Sequence, residues 1–325
     1  MSEPSPTRKR RGRLLRFGAA LVVLLAVAGY LTVQYVTGGA PGCKVVSGDD
    51  DRTAYEFTPE QAVNAATITA VGTARELPER AVTIALATAL QESALRNIDF
   101  GDRDSLGLFQ QRPSQGWGTP KEIMDPAYAA GMFYDHLVEV PDYTRLPLTV
   151  AAQRVQRSGF PDAYAKHEPD ATLLAAALTG RSAATLTCEG RPGAHRADGP
   201  DAVRAALVRD FGRDVLQPAG AEAGASAEPG PSASPSPGGG SDGRTVTLPV
   251  ADGQGAGGGR NAERRGWQLA HWAVANASAL RIERVTYAGR QWTAGNTDSK
   301  WYATGAASAH GAEQGAGPVR ITSAR

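Results

Sequence analysis

Glu92 closes an apolar stretch, "AVTIALATALQES", and the residues after it are of a different kind. Val82, Ala85, Leu86 and Ala89 fall on one helical face, and Glu92 projects beside that face. A carboxyl set against apolar atoms has its charged form disfavoured, so its pKa rises. Such a group can hold a proton near neutral pH and deliver it to a leaving oxygen. Position alone also fits a solvated residue at a helix end. The next residues bear on the choice. Gly101, Gly107, Gly116 and Gly118 allow tight turns and close backbone approach. Gln110, Gln111 and Gln115 carry amides suited to hydroxyl and acetamido groups, and Asp102 and Asp104 add carboxylates. One acid, candidate partner carboxylates and a polar floor are the parts that glycosidic-bond cleavage requires.

The wording of this stretch is specific. "QES" followed by "GDRDSLGLFQ" resembles the lysozyme-like superfamily of lytic transglycosylases and goose-type lysozymes, whose pattern is Glu-Ser at a helix end and then Gly-Leu-Met-Gln. Phe109 stands in the methionine position. The resemblance spans about residues 58–178, and the wider wording is similar to actinobacterial membrane-anchored cell-envelope proteins. It implies that Glu92 is the catalytic acid, that Ser93 orients it, and that Gln110 lines the groove. It also implies that Asp102, in "GDR", positions water. The family's Tyr-Asn-Ala-Gly motif is missing; Gln156, in "VQRSG", is its nearest counterpart. The second goose-type aspartate has no match. The implied substrate is peptidoglycan, cut between N-acetylmuramic acid and N-acetylglucosamine. A transglycosylase needs only Glu92 and the muramyl 6-hydroxyl, whereas a hydrolase would use Asp102 or Asp104 to activate water. The expected reaction is that of a lytic transglycosylase. A cell-wall-binding or scaffolding protein that cuts nothing is the alternative.

Several elements must position these residues. Thr58–Gln61 is a capping box with proline at the first helical position. Pro78 opens the helix that ends near Glu92, and Asp125-Pro126 open another whose Ala129, Met132, Phe133 and Leu137 share a face. Further helices are predicted near 150–157 and 170–178. Alternating strand patterns are missing here, so an all-α domain is predicted over 53–190. Trp117, between glycines in "SQGWGT", is placed to stack on a sugar; Tyr128, Tyr134, Tyr143 and Tyr164 are expected mostly in the core.

The rest of the chain sets the context. Thirty-four basic and 33 acidic residues among 325 give no electrostatic case for nucleic acid as a partner. Residues 17–36 carry no charge and follow a basic tail at 1–16. That pattern predicts a transmembrane helix with the remainder extracytoplasmic, in a single-pass cell-membrane protein; a cleaved signal peptide is the rival reading. Cys43 and Cys188 would both lie outside, where a disulfide persists. The five histidines are scattered, so neither a metal nor another cofactor is expected. Residues 37–52 read as a linker, and 191–244 as a helix followed by an Ala/Gly/Pro/Ser-rich tether. A small α+β accessory domain is expected over 245–325; its tryptophans could form either a core or a wall-binding surface. The predicted fold is therefore a mainly α, lysozyme-like domain after one transmembrane helix, with a small C-terminal α+β domain.

Overall fold

The computed structural model describes residues 42–48, 53–160, 162–190, 199–217, 243–250, 258–296, 300–304 and 317–324. The described residues form one compact unit. Helices α1 (Pro59–Ala74), α2 (Glu79–Ser93), α3 (Pro120–Ile123), α4 (Pro126–Val138), α5 (Leu148–Gln156) and α6 (Glu168–Leu178) come first. Then follow α7 (Pro200–Phe211), α8 (Gly258–Ala275) and α9 (Ala277–Leu280). Strands β1 (Cys43–Val46), β2 (Ala54–Phe57) and β3 (Leu186–Cys188) make one antiparallel sheet in the order β2-β1-β3. A second antiparallel sheet is ordered β4-β8-β5-β6-β7, built from β4 (Thr245–Leu248), β5 (Ile282–Tyr287), β6 (Arg290–Thr293), β7 (Tyr302–Ala303) and β8 (Val319–Ser323).

Local signals explain the helix ends. The Thr58 side chain accepts from the Gln61 backbone N–H while the Gln61 side chain accepts from Thr58, which completes the capping box of α1. Asp125 caps α4 through the Ala127 and Tyr128 amides. Helix α2 is buried continuously from Ala81 to Leu90. Its alanines let neighbouring helices approach closely, and it packs against α1, α5 and α6. Ala94, in the left-handed region at φ 52°, ends the helix and directs its N–H back to Ala89 and Leu90.

This architecture corrects the predicted fold. The supposed transmembrane segment, 17–36, lies outside the described residues, and among the described residues no helix is long and apolar enough to cross a membrane. The first part is not all-α: β1 falls inside the stretch read as a linker and pairs with both β2 and β3. These strands are only three or four residues long, too short for a local alternation to announce them, and β3 comes from far along the chain. The C-terminal part is not a separate small domain. Helix α8 packs on α1, α6 and β3 within one continuous core. Trp267, Trp272, Trp292 and Trp301 are all buried in it rather than displayed for a ligand. The Trp292 and Trp301 indoles donate to the Cys188 and Leu186 carbonyls at 2.9 Å each, joining the C-terminal sheet region to β3.

The disulfide between Cys43 and Cys188 links directly opposed residues of β1 and β3. It closes a loop of 145 residues. In the chain-entropy model such a closure stabilises by up to ~5 kcal/mol.

Candidate functional site

Glu92 occupies the last turn of α2, where the buried helix meets the loop 94–119. Burial pushes its carboxyl above the usual range, and hydrogen bonds from Tyr164 and Gln156 pull it partly back. The Tyr164 hydroxyl donates to Glu92 Oε1 at 2.7 Å. Tyr164 is itself fully buried, and desolvation together with the Glu92 charge holds its hydroxyl protonated far above neutral pH. Gln156, at the end of α5, donates through Nε2 to the Phe109 carbonyl at 2.7 Å. The amide thus touches both the acid and the turn after it. The result is a carboxyl with one apolar wall and fixed donors, suited to give up a proton and take one back.

The loop is held by its own side chains. Gly107 has φ 76°, and a Cβ there would lie 2.7 Å from the Ile123 carbonyl oxygen, so only glycine fits without displacement. Its N–H donates to the Ile98 carbonyl at 2.7 Å, and Leu106 and Gln111 form an isolated antiparallel bridge. Phe109 stacks on Phe133 of α4 with ring centroids 4.7 Å apart.

These contacts redefine several predicted site residues. Ser93 is buried and donates to the Ala89 and Leu108 carbonyls at 3.1 and 2.8 Å, so it clasps the helix end to the Gly-Leu-Phe-Gln turn rather than facing a groove. Gln111 is buried and donates to the Ala129 carbonyl at 3.0 Å, tying the loop to α4 and leaving its amide out of ligand reach. Gln110 spends its Nε2 on the Gly107 and Phe100 carbonyls. Asp104 accepts from Arg112 Nε at 2.7 Å and from the Ser114 N–H at 2.9 Å. Hydrogen bonds from the Ser114 side chain, from Arg112 and from the Ser114 N–H hold its carboxyl well below the usual carboxylate range, which suits a structural anion and not a base. The Asp102 side chain is 93% exposed and pairs with Arg103 at 3.9 Å. Glu92, Tyr164 and Gln156 are brought together; Ser93, Asp104, Gln110 and Gln111 hold the adjoining loop, and Asp102 stands apart in solvent.

Trp117 lines a cleft of about 670 Å³ next to this centre, with Gln115, His136, Arg154, Gln156 and Arg157. Its ring lies 4.3 Å from that of His136, tilted by 59°. Gln156 is shared between the cleft and Glu92. Phe100 and Phe160, exposed by 68% and 76%, sit on the two loops that carry Gln110 and Tyr164 into place. Among the described residues, no group of three or more His, Cys, Asp or Glu side chains could hold a metal ion. The residue that sequence reasoning undervalued is Tyr164. It stands 72 positions from Glu92, and its only local signal is an aromatic in a Gly/Pro-containing loop.

Residues 229–313 match the family model described as VldE, C-terminal domain. The match covers α8, α9 and most of the second sheet and excludes Glu92 and its loop. No curated protein matches the chain.

Proposed function

We propose that this protein cleaves peptidoglycan glycan strands between N-acetylmuramic acid and N-acetylglucosamine, acting as a lytic transglycosylase with Glu92 as its acid and base. The observation that carries this reading is the Glu92 carboxyl itself: raised by burial, at the end of a buried helix, fixed by Tyr164 at 2.7 Å. In the proposed reaction Glu92 gives its proton to the glycosidic oxygen as the bond from the muramyl C1 breaks. The resulting carboxylate takes the proton of the muramyl 6-hydroxyl, whose oxygen bonds to C1 and closes the anhydro ring. The lyase branch is favoured because it needs no second carboxylate. Asp104 is committed to Arg112 and Ser114, and Asp102 stands out in solvent. The Cys43–Cys188 disulfide supports an extracytoplasmic site of action, where the substrate is found.

Digestion of purified cell wall by wild type and by Glu92→Gln, read by mass spectrometry, tests the proposal. Anhydro-ended muropeptides are expected from wild type alone. No release above background by wild type would leave a wall-binding protein that cuts nothing, equal release by both proteins would remove Glu92 from the chemistry, and reducing ends in place of anhydro ends would make the enzyme a hydrolase.

A further inference from the structure

The 670 Å³ cleft beside Gln156 differs from the Glu92 loop in how its polar groups are used. In the loop, Ser93, Gln110 and Gln111 are spent on backbone carbonyls, and Asp104 on Arg112 and the Ser114 N–H. In the cleft, the side chains of Arg154, Arg157 and Gln115 and the Trp117 indole N–H have no hydrogen-bond or ion-pair partner among the described residues. The lining carries these two guanidiniums and one carboxylate, that of Glu139, which stands 3.9 Å from His136 Nδ1. Arg157 is held at φ 51°, a left-handed position after the last turn of α5 that glycine usually fills. Basic residues near a helix C-terminus are favoured by the helix dipole, but that effect requires neither two of them nor their place on a cleft wall.

The geometry points to a subsite for an anionic substituent of the glycan, bound by Arg154 and Arg157 while the sugar ring lies on Trp117. Guanidinium groups match carboxylates and phosphates through paired N–H donors, and an indole face suits the apolar side of a pyranose. The anion is a carboxylate of the peptide attached to the glycan or a phosphodiester of a polymer attached to it. The inference rests on the reading of Glu92 as a glycan-cleaving site, whose substrate it specifies further.

Calorimetric titration of the full chain tests this, with GlcNAc-MurNAc-tripeptide, its fully amidated form and poly(glycerol phosphate) as probes. The disaccharide-peptide lacks the bond proposed to be cut, so it is bound without turnover. Wild type is expected to bind a charged probe about tenfold more tightly than the neutral one, a preference that shrinks with salt. The Arg154→Gln/Arg157→Gln protein should bind both forms alike. Arginine-dependent preference for the free-acid peptide identifies the carboxylate as the anion, and the same dependence for poly(glycerol phosphate) alone identifies the phosphate. Equal affinity of wild type for charged and neutral probes overturns the subsite. So does a double variant that melts lower yet keeps the preference, because the arginines would then serve only the helix end. The two proposals fail separately. Arginine-dependent binding without wall cleavage removes only the catalytic reading; cleavage with no charge preference removes only the subsite.

Discussion

Glu92 owes its chemistry to opposing influences that can be separated. Burial raises its pKa, while the Tyr164 hydroxyl and the Gln156 amide favour the ionised form. Tyr164→Phe keeps the ring and deletes the donor, so the carboxyl should move further up. If Glu92 is the general acid, as proposed, it works while protonated, and the alkaline limb of the kcat/KM profile should shift to higher pH. The maximum rate should fall about tenfold, because the carboxyl loses the bond that aims it. A pH profile on wall fragments checks both effects; an unmoved limb would mean that Tyr164 only fills space.

At the level of elements, the helix α2 and the loop behind it act as one unit. The serine after the acid fixes the helix end to the Leu108 carbonyl, and Gly107 lets the chain pass Ile123. Gly107→Ala meets both a left-handed φ and a carbonyl at 2.7 Å, and should cost more than about 1 kcal/mol. Ser93→Ala leaves the buried Leu108 carbonyl without this donor and should cost about 1–3 kcal/mol. Urea denaturation measures both. The local signals for these elements were legible: the capping box at Thr58, the Asp125 cap and the apolar face of α2 all depend on residues within one turn. The roles of the glutamines were not legible. Gln110, Gln111 and Gln115 have the same chemistry, yet packing turns one into the core, spends another on the loop and leaves the third in the cleft.

On the scale of the molecule, the C-terminal part completes the first part instead of decorating it. Asp210 of α7 is buried and accepts from Thr67 of α1 at 3.2 Å and from the Trp272 indole of α8 at 2.8 Å, besides pairing with Arg209. Trp272→Ala would open a cavity and strip this carboxylate of a donor, for a loss of about 3–5 kcal/mol. Its thermal melt should show one lowered transition for the whole chain rather than loss of a separate domain. His271, buried on the same helix, donates through Nδ1 to the Ala177 carbonyl at 2.7 Å, and burial pushes its pKa down to about 4. The unfolded chain then binds the extra proton. Stability is retained above pH 6.5 and lost as pH falls toward 4, by about 3 kcal/mol in total. Melting temperatures between pH 7 and 4 should fall more steeply for wild type than for His271→Gln.

What the amino-acid order by itself determined was local: where α1, α2 and α4 begin, that an acid closes a buried helix, and that two cysteines bracket the stretch containing it. Those features follow from caps and from residues three and four apart, which are neighbours whatever the rest of the chain does. Tertiary structure alone decided that β1 and β3 pair across 145 residues, that Tyr164 reaches Glu92, and that four tryptophans join one core. It also decided which polar side chains are left without an intramolecular partner among the described residues. Hydrogen bonding and burial are settled by whatever packs alongside, and for Glu92 the neighbours that tune its proton come from α5 and the loop beyond it.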